Sequence, residues 1–151
     1  MELKKPSLPR PEIDILAYKA SDNLLVWVEC KSYLDSGGVR IEYFTDPTNI
    51  NWARYKVFTW PKYKRIVSEE LINQVIQSGL VRGRPTLKYC LVAGHIAREY
   101  DRSELHDYFH KQGWILYDEN WIKQGLDKLA KIGYEDNVSV IVAKLISRVY
   151  E

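Results

Sequence analysis

Two runs of β-forming residues near the amino terminus constrain the fold of this chain more than any other feature. The first run extends from Glu12 to Lys19 and the second from Leu24 to Tyr33, with only residues 20–23 between them. Both runs are rich in the branched and aromatic residues that favour strands. The sequence therefore predicts two antiparallel strands joined by a short turn.

The length of that turn determines which side chains meet across the hairpin. Alternate residues of a strand point to the same face, so Glu29 and Lys31 share one. A four-residue loop pairs Lys19 with Leu24 and places Asp14 directly opposite Glu29, at a Cβ separation of about 4.5–5.5 Å. A two-residue turn would place Asp14 opposite Lys31 instead, still on the shared face. Only an odd-length loop or a bulge would separate the three side chains.

Two carboxylates this close repel each other unless a cation lies between them. Magnesium is usually held by one or two carboxylates and keeps several waters for exchange with substrate phosphates. We therefore expect Asp14 and Glu29 to bind Mg²⁺, with Mn²⁺ as a substitute and the Cys30 backbone carbonyl as a further ligand. Lys31 would orient or help deprotonate the attacking water, or neutralise charge in the transition state. The alternative is a solvated cross-strand charge cluster that contributes little.

The same residues resemble the motif of the PD-(D/E)XK nuclease superfamily, which has the restriction-endonuclease-like fold. That motif has an acid on the second core strand and Glu-x-Lys on the third. Here Asp14 matches the first acid, Glu29 the second and Lys31 the lysine, within a segment from Arg10 to Tyr33. The resemblance implies an α/β fold with a central mixed β-sheet flanked by helices, and a metal-dependent nuclease that acts on DNA.

The chain departs from the superfamily pattern at its start. The core normally opens with a helix before the first strand, whereas residues 1–5 have room only for a strand. The first core helix would then be missing or replaced, and residues 1–151 would form a single nuclease-like domain or a fragment of a longer chain. Glu12 lies on the same face as Asp14 and could supply part of the acid that this helix often contributes, joining the metal ligands.

A segment at residues 47–68 combines basic and aromatic residues and contains no acidic one. Lysine and arginine can neutralise phosphates, while aromatic side chains either stack on bases or pack in the core, which is the default expectation. Because the net charge is only +2, this local concentration matters more than the total. The predicted nucleic-acid-binding residues are Arg54, Lys56, Lys62, Lys64 and Arg65.

The remaining periodicity predicts alternating helices and strands. The predicted elements are a helix from Pro61 to about Leu80, a strand at Thr86–Ala93, a helix capped by Ser103 and running to Gln112, a strand at Trp114–Tyr117, a helix capped by Asp118 or Asn120 and ending at Gly133, and a last helix capped by Asn137. A terminal strand at residues 138–143 competes with that last helix.

The sequence also gives expectations about the cellular location of the protein and the state of its two cysteines. The amino terminus does not resemble a signal peptide, and no apolar run approaches the roughly 20 residues that span a bilayer, so we expect a cytoplasmic protein without membrane contact. Cys30 and Cys90 lie in apolar runs and are expected to be buried free thiols. DNA is the expected partner, and a homodimer or contacts with other regions of a longer parent protein are admissible. The alternative function is a catalytically inactive DNA-binding or assembly module with the same fold.

Overall fold

The computed structural model describes residues 12–33, 35–133 and 135–149. It has an α/β fold with a mixed β-sheet. The predicted strand at residues 1–5 lies outside the described residues. Four strands lie in the order β1-β2-β3-β4, and β1 and β2 are antiparallel. Asn23 O accepts a hydrogen bond from Thr86 N, and Lys31 O accepts one from Gly94 N, so β2 and β3 run parallel. The strands are β1 (Ile15–Lys19), β2 (Leu24–Lys31), β3 (Thr86–Ala93) and β4 (Ile115–Tyr117).

Six α-helices flank the sheet in the described part of the chain. They are α1 (Glu42–Thr45), α2 (Lys56–Thr59), α3 (Pro61–Gln77), α4 (Glu99–Lys111), α5 (Glu119–Lys131) and α6 (Val138–Val149). The general α/β class is thus confirmed. Within the described ranges, no helix has the length and apolar character needed to cross a membrane.

The chain divides into two compact units. The first comprises Met1–Cys30 and Glu42–Cys90, and the second comprises Lys31–Ile41 and Leu91–Glu151. The expectation of a single nuclease-like domain stays a prediction.

In the first unit, a four-residue loop joins the two strands of the hairpin. Residues Ala20–Asp22 form one turn of 3-10 helix, and Asn23 then adopts a left-handed conformation at φ 47°. Asparagine is one of the few residues that tolerate this conformation as single residues. Lys19 consequently pairs with Leu24, which is the register predicted for a four-residue loop.

The core of the first unit is aromatic. Trp27 is 2% exposed, and its ring lies 6.4 Å from that of Tyr89 on β3. Helix α3 contacts the same strand, because the Ser68 hydroxyl and the Tyr89 hydroxyl are hydrogen-bonded at 2.7 Å. Phe44 and Tyr55 are also buried, with their ring centroids 4.5 Å apart. Trp27 of β2 and Ser68 of α3 thus both contact Tyr89 of β3.

In the second unit, α4 begins at Glu99 after Arg98 as its cap, five residues earlier than the Ser103 cap predicted from sequence. The cause is a contact between residues distant in sequence. Asp101 is fully buried and accepts hydrogen bonds from the Arg98 guanidinium and from Ile41 N–H. These bonds stabilise the first turn of α4. Ser103 is therefore inside the helix instead of capping it, and its hydroxyl donates to Tyr100 O.

The two carboxyl-terminal helices begin where the sequence predicts. The Asp118 carboxylate accepts hydrogen bonds from Asn120 N–H and Trp121 N–H and caps α5. The Asn137 side chain accepts one from Ser139 N–H, and α6 follows, so the alternative strand at residues 138–143 is wrong. Helices α5 and α6 pack against each other.

Candidate active site

The observed hairpin register ends one pair before the two predicted acids. Ile15 is paired with Val28, and continuing this register by one pair sets Asp14 opposite Glu29. Both residues belong to the first compact unit. Asp14 lies just before β1, in a bend, whereas Glu29 is part of β2. The register observed up to Ile15 is the one that the four-residue loop predicts, whereas the approach of the two carboxylates stays a prediction.

Asp14 is anchored to the neighbouring strand through its side chain. Its Oδ2 accepts a hydrogen bond of 2.7 Å from Cys30 N–H, which replaces the backbone bond that a longer β1 would make. A strand residue directs its N–H and C=O to the same side. The Cys30 carbonyl is therefore directed toward the side of β2 on which Asp14 lies, and its role as a metal ligand stays a prediction.

The prediction that both cysteines are buried is correct for Cys90 and wrong for Cys30. Cys90 is 1% exposed, whereas Cys30 is exposed, and both are free thiols. Cys30 lies beyond the last backbone pair between β1 and β2, Ile15 with Val28, so β1 has ended before it could cover this position. Burial raises the pKa of the Cys90 thiol to about 12.

Glu29 has one hydrogen-bond partner and one electrostatic neighbour that sequence reasoning did not identify. The Trp27 indole Nε1–H donates a hydrogen bond of 2.8 Å to Glu29 Oε1. Tyr63 of α3 lies close enough that its pKa is raised, first by burial and second by the Glu29 charge. Strand alternation, which puts Trp27 and Glu29 on one face, was a signal for the first contact. The electrostatic effect of Glu29 on Tyr63 joins segments distant in sequence and has no comparable local signal.

Lys31 is the last residue of β2, and strand alternation puts it on the Glu29 face. Its backbone carbonyl accepts a hydrogen bond from Gly94 N–H at 2.8 Å, which fixes the end of the strand. Two residues later, Tyr33 has a φ of 47°, an uncommon conformation for a side chain of this size. The extended conformation of β2 therefore does not continue through Tyr33. Glu12, the other predicted acid, is exposed and precedes β1.

The donor atoms of this site suit a hard cation. Asp14, Glu29 and the Cys30 carbonyl offer only oxygen, which is what Mg²⁺ and Mn²⁺ prefer. Among the described residues there is no group of three or more His, Cys, Asp or Glu side chains that could hold a metal. This does not conflict with magnesium, which is usually held by one or two carboxylates together with water and substrate oxygens.

The predicted nucleic-acid-binding residues divide into two sets. Three of them, Arg54, Lys62 and Arg65, are exposed. The other two lie over aromatic rings: the Lys56 ammonium is 5.4 Å from the Trp60 ring centroid, and that of Lys64 is 5.5 Å from the Tyr89 ring centroid. Burial lowers the pKa of Lys64. The segment is therefore not one uniform basic surface.

The aromatic residues of the same segment are partly core. Tyr55 and Phe58 are buried, as the default expectation of core packing predicts, whereas Trp60 is 41% exposed. Trp60 is also the residue that precedes α3, and its side chain makes no capping hydrogen bond there.

Helix α3 carries charges of the wrong sign for its amino-terminal end. A helix amino terminus has a partial positive charge and unsatisfied N–H groups, so acidic residues are favoured there. The first turn of α3 contains no acidic residue, and Lys62, Lys64 and Arg65 lie at this end. Such an arrangement destabilises the helix slightly and attracts anions.

A second polar cluster lies in the other compact unit. The Arg102 guanidinium contacts Asp118 at 2.8 Å and Glu119 at 2.7 Å, and His106 Nε2 lies 3.3 Å from Asp118. Burial opposes ionisation of Asp118, but hydrogen bonds from Trp121 N–H, Arg102 and His106 outweigh it and lower its pKa. The charges of this cluster are already paired, and Asp118 caps α5. The cluster therefore connects α4 to the start of α5 through ion pairs and hydrogen bonds.

Comparison with known proteins adds no relative to these observations. No protein-family model, curated protein or solved structure matches the chain. The resemblance in the segment from Arg10 to Tyr33 therefore stays a prediction, and its consequences belong to the proposal that follows.

Proposed function

We propose that this protein is a magnesium-dependent nuclease of the PD-(D/E)XK type that hydrolyses phosphodiester bonds in DNA. The observation that carries the proposal is the hairpin register, which pairs Ile15 with Val28. Its continuation by one pair would set Asp14 opposite Glu29, and strand alternation puts Lys31 on the Glu29 face. Carboxylates in such positions repel each other in the absence of a cation. A strand that is apolar up to Val28 and then ends in these charges is typical of a site rather than of a packed sheet.

Each residue has a distinct part in this proposal. Asp14 and Glu29 would hold Mg²⁺ or Mn²⁺, with the Cys30 carbonyl and Glu12 as further oxygen donors. When bound, the metal polarises the phosphate and makes a water more acidic. Lys31 orients the attacking water or neutralises charge that develops on the phosphate. Trp27 fixes the Glu29 carboxylate through its indole N–H.

The choice of DNA as substrate rests on the start of α3. Three cations at a helix end that already attracts anions are unfavourable unless a phosphate partner is present. Tyr63, between two of these cations in sequence, is close enough to Glu29 to be affected by its charge. A nucleic-acid backbone bound at this end of α3 would thus approach the acids of the hairpin.

Cleavage assays with conservative variants test the proposal. Asp14→Asn, Glu29→Gln and Lys31→Met should each lower Mg²⁺-dependent cleavage of duplex, single-stranded or junction DNA by at least about 100-fold, within the range for loss of catalytic groups. Asp107→Asn on α4 and Lys88→Met on β3 remove exposed charges of the same kinds elsewhere and should leave the rate unchanged. Circular dichroism would verify that all variants are folded. Full activity in the Asp14 or Lys31 variant would refute the assignment.

The alternative is a DNA-binding or assembly module without catalysis, and the exposed Arg54, Lys62 and Arg65 favour it equally. This alternative predicts salt-dependent DNA binding that requires no metal and gives no turnover. Titration of Mg²⁺ or Mn²⁺ by calorimetry, performed beside the cleavage assay, separates the two functions. Metal binding that is lost in Asp14→Asn, together with cleavage, supports the nuclease.

A further inference from the structure

Helix α6 is apolar on two opposite faces, although it packs through only one of them. Val140 and Ala143 are buried, which accounts for the inner face. The other apolar side chains of the helix are all exposed: Val138 at 76%, Ile141 at 37%, Val142 at 43%, Leu145 at 57%, Ile146 at 43% and Val149 at 77%. A helix that is hydrophobic all round is normally buried on all sides. We call these six side chains the outer stripe.

The outer stripe has the spacing of a helix–helix seam. Val138, Val142, Leu145 and Val149 follow one another at intervals of four, three and four residues. This alternation is the a/d pattern with which two helices interdigitate, and branched side chains such as valine and leucine are typical of it. The two cations of α6, Lys144 and Arg148, are not part of the stripe, and Lys144 Nζ donates to Ala130 O at the end of α5.

The size of the stripe is close to what a dimer requires. The six exposed fractions correspond to roughly 600 Å² of apolar surface, more than the few hundred Å² that a soluble monomer usually leaves contiguous. A standard interface buries about 800 Å² on each partner, and homodimer interfaces are the most apolar ones. The outer stripe alone would therefore supply most of the surface area that each partner buries in a standard interface.

We propose that the outer stripe of α6 is the interface through which two copies of this chain form a homodimer. A second copy fits because an a/d seam made only of uncharged side chains is complementary to itself: a twofold axis pairs the stripe with the identical stripe of the partner. The proposal is independent of nuclease activity, since it rests on α6 and not on the hairpin.

Sedimentation velocity over a dilution series tests the interface. The unaltered chain should have twice the 17.7 kDa mass of one copy. Leu145→Glu should weaken dimerisation by about 100-fold or more, because each dimer would bury two unpaired carboxylates. Val149→Glu, at an even more exposed position, should do the same and serves if the first variant does not fold. Ile76→Glu on α3 replaces a single exposed apolar side chain at 37% exposure and should leave the dimer intact.

Three outcomes would overturn the proposal. The first is a chain that is monomeric throughout the dilution series. The second is a dimer that persists in folded Leu145→Glu and Val149→Glu variants, because the interface would then lie elsewhere. The third is a monomer that binds phospholipid vesicles and loses this binding in the Leu145 variant, which would make the stripe a membrane-binding surface.

Discussion

The hydrogen bond between Trp27 and Glu29 is the contact on which the geometry of the proposed site can be tested without any assumption about catalysis. Trp27→Phe removes the indole N–H that donates to Glu29 Oε1 at 2.8 Å, and it keeps an aromatic ring near Tyr89. We expect this variant to be folded and measurably less stable, with an altered affinity for metal.

The cost can be worked out from the burial of the two groups. Trp27 is 2% exposed, so replacement by the smaller ring leaves a cavity of roughly 40 Å³, which costs about 1 kcal/mol. The lost hydrogen bond costs about 1 kcal/mol more, less than is usual for a charged acceptor because the Glu29 carboxylate is partly exposed to solvent. The free energy of unfolding should therefore fall by about 2 kcal/mol in the absence of metal.

A double-mutant cycle separates these two contributions. Glu29→Met removes the acceptor and keeps a side chain of similar length, and it also relieves any repulsion from Asp14. Since that relief occurs with either residue at position 27, it cancels in the cycle. Urea denaturation followed by circular dichroism should give a coupling free energy of about 1 kcal/mol between the two sites. Trp121→Phe, on the exposed face of α5, is the control and should cost less than Trp27→Phe.

Trp27→Phe also tests whether Glu29 is a metal ligand. Groups that orient metal ligands typically change metal affinity by 10- to 100-fold when removed. Trp27→Phe should therefore weaken Mn²⁺ binding by about 10-fold in calorimetry, if Glu29 is a ligand. A coupling free energy near zero would refute the hydrogen bond. A normal coupling with unchanged metal affinity would instead refute the role of Glu29 as a ligand.

Three further predictions concern the charged and reactive groups of the chain. Lys62→Glu combined with Arg65→Glu should lower the slope of log affinity against log salt by about 2 in DNA titrations, because two phosphate contacts are lost. Asp118→Ala should lower the free energy of unfolding by about 3 kcal/mol in urea, since it removes a helix cap and a buried ion-pair partner. Because the pKa of Asp118 is lowered in the folded protein, this contribution is present above the ordinary value of 3.8 and is lost as the pH falls through the lowered pKa, which unfolding curves at acidic pH would reveal. In a thiol-labelling assay, Cys30 should react rapidly and Cys90 only on unfolding, and equal rates would contradict their different exposure.

Features set by neighbouring residues could be predicted from the sequence. The four-residue loop at residues 20–23, one of the two even-length loops considered from the sequence, pairs Lys19 with Leu24, and Asn23 provides the left-handed residue that closes it. The start of α5 was predictable for the same reason, because Asp118 caps N–H groups only two and three residues away. In both cases the contacts that decide the structure lie within a few residues, where spacing and residue type are informative.

Features set by distant residues could not be predicted in this way. The start of α4 depends on the bond between Asp101 and Ile41, sixty positions earlier in the chain. The exposure of Cys30 depends on where β1 ends, since Ile15 makes the last pair with β2. Each of these outcomes is decided by packing that residue type alone does not encode, because the same sequence pattern is compatible with either result.

The position of α3 connects the two predicted features that the sequence presented separately. The acids of the hairpin and the basic segment at residues 47–68 were inferred from unrelated patterns. Tyr63 nevertheless lies within electrostatic reach of Glu29, and Lys64 lies over Tyr89, whose ring approaches Trp27 beside the same acid. A phosphate attracted to the start of α3 would therefore be drawn toward the carboxylates, which repel it unless a cation is present. For this reason DNA binding by the chain should strengthen when Mg²⁺ is added to a cleavage-deficient Lys31→Met variant, and it should not strengthen when Asp14 is also replaced.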